Sequence, residues 1–190
     1  TTATIQLFEQ IKAGQVGAEA EARTSSSESF PPHNLPPQMT PFVGRESELA
    51  QLHQLLLNSD NHLITILGAG GMGKTRLALA FAAQQLGSQQ QPHAFPQGIY
   101  FTSLARLETA VSLVTAVAEA INFRFGKGDD LQAQLLRYLS SKAMLLVLDN
   151  FEHLLAGVDL LDEILRTAPK IKIIITSRIR LNRQIEQLFP

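Results

Sequence analysis

The chain has 190 residues, enough to bury the core of one ordinary domain. Hydrophobic residues make up 45% and charged residues 17%, a globular balance, and a net charge of -1 offers nothing to attract nucleic acid. The absence of cysteine excludes a disulfide framework and a thiolate metal site, which fits a reducing cytoplasm, and no apolar run reaches the length that spans a bilayer.

In chain order, Thr4 to Ala13 places Ile5, Leu7, Phe8 and Ile11 at helical spacing before Gly14, so 1–13 is expected to hold one short helix. Residues 14–40 change character, with TSSSES followed by the proline-rich PPHNLPPQMTP. Such a segment cannot bury enough apolar surface to fold alone, so it reads as a linker or a strap lying on a neighbour, and the domain is expected over 41–190. Thr1 at the head and Leu188-Phe189-Pro190 at the tail read as the interior of a longer sequence, so a piece of a larger protein is expected.

From there helices and strands alternate. Arg45 to Leu57 is amphipathic, with Leu49, Leu52, Leu55 and Leu56 on one side. His62 to Leu67 reads as a buried strand, Thr75 to Leu86 as a helix rich in alanine, and GSQQQPHAFPQ as a low-complexity loop. Gly98 to Thr102 is a second strand. Leu107 to Ile121 has helical spacing, and Asp129 is placed to cap a helix carrying Leu131, Leu135, Leu136 and Leu139. Ala143 to Leu148 is a third strand. Leu154, Val158, Leu161 and Leu165 mark a helix closed by Pro169, Ile171 to Thr176 is a fourth strand, and a fifth begins near Glu186. Strands apolar on both faces and separated by helices predict an α/β fold with a parallel sheet covered on both sides. In such sheets ligands sit at the carboxyl ends of the strands.

Three polar clusters fall at those ends. The first is HLITIL-GAGGMGKT-RLALAF, in which Gly68, Gly73, Lys74 and Thr75 satisfy GxxxxGK[ST] between a strand and a helix. Glycines let the backbone approach phosphates closely, successive N–H groups form an anion nest, and the helix points its positive end at the same place. Lys74 is expected to reach the β- and γ-phosphates, and the Thr75 hydroxyl to ligate Mg2+. A meaningless glycine turn is the alternative, but the four-position match arises by chance in roughly one chain of this size in a hundred. Gly68, Ala69, Gly70, Gly71, Met72, Gly73, Lys74, Thr75 and Arg76 are thus candidate nucleotide contacts.

The second cluster is AMLLVL-Asp149-Asn150, an apolar strand ending in an acid, the Walker B pattern in which a carboxylate assists Mg2+. Helix capping is its bland alternative. Many fast ATPases place a glutamate next as the base that activates water. Asn150 accepts a proton poorly, which predicts slow or absent hydrolysis. Glu152 and His153 are the nearby substitutes, with Glu152 the candidate base, unless they merely form an exposed first helical turn. The third cluster is IKIIIT-Ser177-Arg178. If its strand lies between the other two, Thr176 or Ser177 can bond the phosphate or attacking water. Arg178 can then sense the γ-phosphate through a bidentate contact, where the alternative is a surface arginine in a turn.

Taken together, TPFVGRESELAQL, LITILGAGGMGKTRLALA, MLLVLDNFEHLL and IIITSRIRL resemble, over roughly 38–190, the signal-transduction ATPases with numerous domains (STAND), the NB-ARC or AP-ATPase group. The ATPase module of large bacterial transcriptional regulators is the nearest likeness. That resemblance implies a three-layer P-loop fold with strand order 2-3-4-1-5 and helices on both faces. It implies that Val43, Gly44 and Arg45 pack by the adenine and ribose, and that Arg178 is the first sensor. Leu7 to Lys12 looks like the tail of a bacterial activator domain. The family's helical and winged-helix modules, which follow the core and close over the nucleotide, have no counterpart in these residues. Their docking face is therefore a predicted partner surface.

The function implied is an ATP- or ADP-binding switch acting with Mg2+, cytoplasmic and off the membrane, self-assembling in response to nucleotide and reaching DNA only through other domains. A turnover ATPase or a small-molecule kinase is the competing enzyme reading. For a kinase lid the only basic candidate is FRFGKG at 123–128. A GTPase ranks last, because no NKxD-type guanine motif is present.

Overall fold

The computed structural model describes residues 31–87, 94–128 and 130–190. The expected helix at 1–13, the 14–30 part of the expected linker and Asp129 lie outside the described residues. The compact unit over Pro31–Pro190 is a three-layer α/β sandwich. Its elements run α1 (Glu46–Leu57), β1 (Leu63–Leu67), α2 (Lys74–Gly87), β2 (Ile99–Ser103), α3 (Ala110–Ala120), α4 (Leu131–Leu139), β3 (Leu145–Asp149), α5 (Val158–Thr167), β4 (Lys172–Ser177) and β5 (Glu186–Phe189). All strand pairs are parallel and the sheet order is β2-β3-β4-β1-β5, the order expected.

The apolar runs explain why. Side chains alternate across a strand, so a run apolar at every position feeds two cores at once. Ile64, Ile66, Leu145, Val147 and Ile174 face α1 and α2, where Leu52, Leu77 and Phe81 meet them. Leu63, Leu146, Leu148, Ile173 and Ile175 face α3, α4 and α5, against Leu113, Leu135, Leu139, Leu161 and Ile164. In register, Ile64 lies beside Ile174 and Thr65 beside Ile175, while Leu148 lies beside Ile175. This register aligns the ends of β1, β3 and β4 along one rim.

Within the expected linker, residues 32–34 lie along the outer edge of β2. The Ile99 amide donates to the Pro32 carbonyl at 3.0 Å. The Asn34 side chain then acts as a strand would, accepting from the Phe101 amide at 2.6 Å and donating to the Phe101 carbonyl at 2.9 Å. An Asn34→Ala variant is expected to lose both bonds and about 1 kcal/mol of stability, read by urea denaturation. An unchanged midpoint would mean that water replaces them without loss.

Two local expectations are corrected. The cap of α4 is Asp130, whose carboxylate accepts from the Ala133 amide at 2.8 Å, one residue after the Asp129 expected from sequence. The helix expected from Leu154 begins only at Val158. Two short 3₁₀ turns, Phe151–His153 and Leu155–Gly157, precede it. The cause is Asn150, which takes a left-handed conformation (φ 63°, ψ 47°) and breaks the chain direction directly after β3. Asparagine tolerates that conformation better than most residues do.

Candidate nucleotide site

The carboxyl rim of the sheet gathers the predicted residues. Between β1 and α2 the loop 68–73 turns through Gly71 (φ 80°) and Gly73 (φ 82°), positions where a side chain would be strained. The Leu77 amide bonds the Gly73 carbonyl at 2.9 Å, so the helix starts directly from the loop. Its free N-terminal amides and its dipole therefore address whatever anion the loop holds. Lys74 lies against the first limb of the loop, donating from Nζ to the carbonyls of Gly68 at 2.8 Å and Ala69 at 2.9 Å. Met72 is 54% exposed on the opposite limb.

Asp149 ends β3 almost fully buried. Its Oδ1 accepts from the Thr75 hydroxyl at 2.6 Å and from the Thr176 hydroxyl, also at 2.6 Å. Thr176 in turn accepts from the Asn150 amide at 3.0 Å. The two groups expected to share Mg2+ are thus adjacent, and a third residue fixes the acid. Among the described residues no group of three or more His, Cys, Asp or Glu side chains gathers to hold a metal. An ion held by Thr75 and Asp149 must take its other ligands from phosphate and water, which suits Mg2+. The residues therefore fit a magnesium nucleotide. The bound ion would neutralise phosphate charge, and the loop amides and Lys74 are the groups that would hold the phosphates.

Thr176 and Ser177 do not present free hydroxyls to a phosphate. Thr176 is committed to Asp149 and Asn150. Ser177 is fully buried, and its Oγ accepts from the Ile179 amide at 3.1 Å and donates to the Ile179 carbonyl at 2.7 Å, shaping the turn after β4. Arg178 does reach the loop. Its guanidinium lies against Gly70, where a side chain's first carbon would meet Nη2 at 3.3 Å. Its Nε pairs with Glu152 Oε1 at 3.1 Å. Sequence reading placed Glu152 and Arg178 in one site without seeing that they touch each other.

The segment before α1 packs beside the same loop. Pro41, Phe42, Val43, Arg45, Gly71, Met72, Gly73 and Arg76 line a pocket of about 390 Å³. Val43 is 80% exposed there. Gly44 turns with φ 85°, its amide donating to Glu46 at 3.2 Å, and Arg45 Nη2 donates to the Met72 carbonyl at 2.7 Å. Arg76 is engaged by the segment before α1. It donates to the Thr40 hydroxyl at 3.0 Å and the Pro41 carbonyl at 3.1 Å, and its guanidinium lies over the Phe42 ring. The 123–128 loop is fastened to α4, with Phe123 on the Tyr138 ring and the Gly126 amide on Gln134.

The family model for an AAA ATPase domain matches residues 41–175, most of the chain and all of this site but Thr176, Ser177 and Arg178. The chain belongs to this AAA ATPase family. An uncharacterized protein of Mycobacterium tuberculosis is 35% identical to it over 146 residues, which cover 76% of this chain and 35% of that protein. Another protein of that organism, which carries the name HTH-type transcriptional regulator, is 34% identical over 123 residues, 64% of this chain and 13% of its own length. The AAA ATPase chain thus spans about a third or less of the curated relatives it matches. Among solved structures, Cdc6p from Pyrobaculum aerophilum superposes with a TM-score of 0.56 at 20% identity, covering 82% of this chain and 47% of that one. ORC2 from Aeropyrum pernix gives 0.52 at 13% identity, covering 80% and 43%. Both likenesses are of fold. As an AAA ATPase domain the chain is a nucleotide-binding module of the kind that usually works with Mg2+. No helix among its described residues is long and apolar enough to cross a membrane.

Proposed function

We propose that this AAA ATPase domain is the ATP/ADP switch of a signal-transducing transcriptional regulator of the STAND, NB-ARC-like type, working in the cytoplasm with slow or absent hydrolysis. The observation that carries the reading is Arg178. It stands at the end of the strand between those of the phosphate loop and Asp149, and its guanidinium rests on Gly70 of the loop. A switch needs a group that contacts one nucleotide and not the other, and a cation at the γ-phosphate is such a group. In this reading ADP holds the resting form. Exchange for ATP permits assembly, helical and winged-helix modules close over the nucleotide, and DNA is reached through other domains. The relative named as an HTH-type regulator supports that setting.

Asn150 supports slow turnover, because a residue bent into a left-handed turn and carrying an amide offers no carboxylate to the attacking water. Arg178→Ala is expected to weaken ATP about tenfold and to leave ADP nearly unchanged, the loss of one solvent-screened charge-assisted bond. Equilibrium titration of the purified chain with both nucleotides and Mg2+ checks it. Equal losses for the two nucleotides would remove the sensor, and turnover above about one per second would make the domain an enzyme rather than a switch.

A further inference from the structure

The salt bridge between Glu152 and Arg178 carries a consequence for how the switch is set. Glu152 is a glutamate on an unusually fixed support. Asn150 ties its backbone to β4 through Thr176, and the next residue, Phe151, is fully buried in the core under the sheet. The 3₁₀ turn Phe151–His153 then projects Glu152 toward the end of β4. Its side chain is only 10% exposed, while that of Arg178 is 59% exposed. One carboxylate oxygen, Oε1, forms the ion pair with Arg178 Nε at 3.1 Å. The other, Oε2, is buried without a hydrogen-bond partner among the described residues. A buried carboxylate with one oxygen unmatched depends the more on the ion pair that its other oxygen makes.

Arg178 uses its guanidinium asymmetrically. Nε is spent on Glu152, and Nη1 and Nη2 have no acceptor among the described residues. The paired Nη edge is the edge that grips two oxygens of one phosphate at once. A long side chain in solvent samples many rotamers, and holding it by Nε removes that freedom before a ligand arrives.

We propose that Glu152 is a positioning residue, holding Arg178 by Nε over Gly70 so that its Nη edge faces the terminal phosphate of a bound nucleoside triphosphate. This rests on the sensor reading of Arg178 above. It assigns Glu152 to orientation rather than to activation of water. The ion pair is an intrinsic part of the discriminating device, and the carboxylate shapes the preference for triphosphate over diphosphate without touching either.

The test compares ATP and ADP affinities, with Mg2+, for the unaltered chain and for Glu152→Ala, Glu152→Gln, Arg178→Ala and the Glu152→Ala/Arg178→Ala double variant. Thermal melting confirms that each is folded. Glu152→Ala is expected to cut the ATP-over-ADP preference about fivefold, the scale of a partly exposed ion pair. Glu152→Gln, whose amide oxygen can still accept from Nε, should recover part of that loss. The double variant should match Arg178→Ala alone, because a positioning residue has nothing left to position. Should Glu152→Ala fail to fold, Glu152→Gln carries the comparison, with a smaller drop expected.

Three results overturn the proposal while leaving the sensor in place. The first is an unchanged preference in both Glu152 variants beside a lost preference in Arg178→Ala. The second is tighter ATP binding in Glu152→Ala, which would make the carboxylate a competitor of the phosphate. The third is unaltered affinities with hydrolysis abolished equally by Ala and Gln, the pattern of a general base. If Arg178→Ala itself leaves the preference intact, the sensor reading falls and this one with it.

Discussion

Lys74→Ala is expected to lower the affinity for both ATP and ADP about 100-fold while barely changing the melting temperature. The ammonium bonds the loop carbonyls of Gly68 and Ala69, on the limb opposite the Met72 carbonyl that Arg45 holds. It is half-buried, so removing it strands no partner in the core. Its contribution to a bound nucleotide is a pair of charge-assisted bonds to phosphate, together about 3 kcal/mol. Each 1.4 kcal/mol is a factor of about ten in affinity, which sets the expected size. Titration with a fluorescent nucleotide measures it directly. Because both nucleotides share the β-phosphate, the loss should be similar for the two, unlike the selective loss at Arg178. Affinity unchanged in Lys74→Ala would remove the loop from the binding site altogether.

Asp149 should separate fold from metal. Asp149→Ala takes the acceptor from two hydroxyls at once, those of Thr75 and Thr176, and Thr176 is also the tie to the Asn150 amide. A loss of about 1–3 kcal/mol of stability is expected from this nearly buried site. Asp149→Asn retains a carbonyl oxygen where Oδ1 stands, so it should keep most of the stability and lose the charge. In that variant the gain in ATP affinity on adding Mg2+ should shrink about tenfold or more. The carboxylate no longer assists the ion, and no cluster of other acids among the described residues can take its place. Titrations with Mg2+ and with a chelator read the gain. If Asp149→Asn keeps the full Mg2+ gain, Asp149 is a structural clamp on Thr75 and Thr176 and nothing more.

Much of this architecture was readable from the chain alone. LITIL, LLVLD and KIIITS are apolar on consecutive positions, and only a sheet covered on both faces accommodates that, so the fold class followed from burial. The strand order came from resemblance, because no local pattern says that β4 lies between β1 and β3. The phosphate loop, Asp149 and Arg178 were legible because each combines a fixed spacing with a strand end. What stayed hidden were contacts that depend on register. Thr176 was in view as a polar strand end, but its bond to Asp149 exists only because Leu148 lies beside Ile175. The pairing of Glu152 with Arg178 spans 26 positions and needs the left-handed turn at Asn150, which helical periodicity from Leu154 obscured. The one available hint was asparagine itself, a residue suited to that conformation. The edge contact of Asn34 was equally invisible, since a proline-rich stretch looks the same whether it lies on a strand or in solvent.

That edge contact bears on how copies of this domain can meet. A sheet can recruit further sheets only through the unpaired backbone groups of its outermost strands. At β2 the Ile99 amide and both backbone groups of Phe101 are already taken by Pro32 and Asn34. Head-to-tail stacking of sheets needs two open margins that complement each other, and here one is sealed by a side chain. Among the described residues the other outer strand is β5, and two copies joined there would satisfy one another and leave nothing for a third. Any ring or filament built from this domain would then form through helical faces and loops rather than by continuing the sheet.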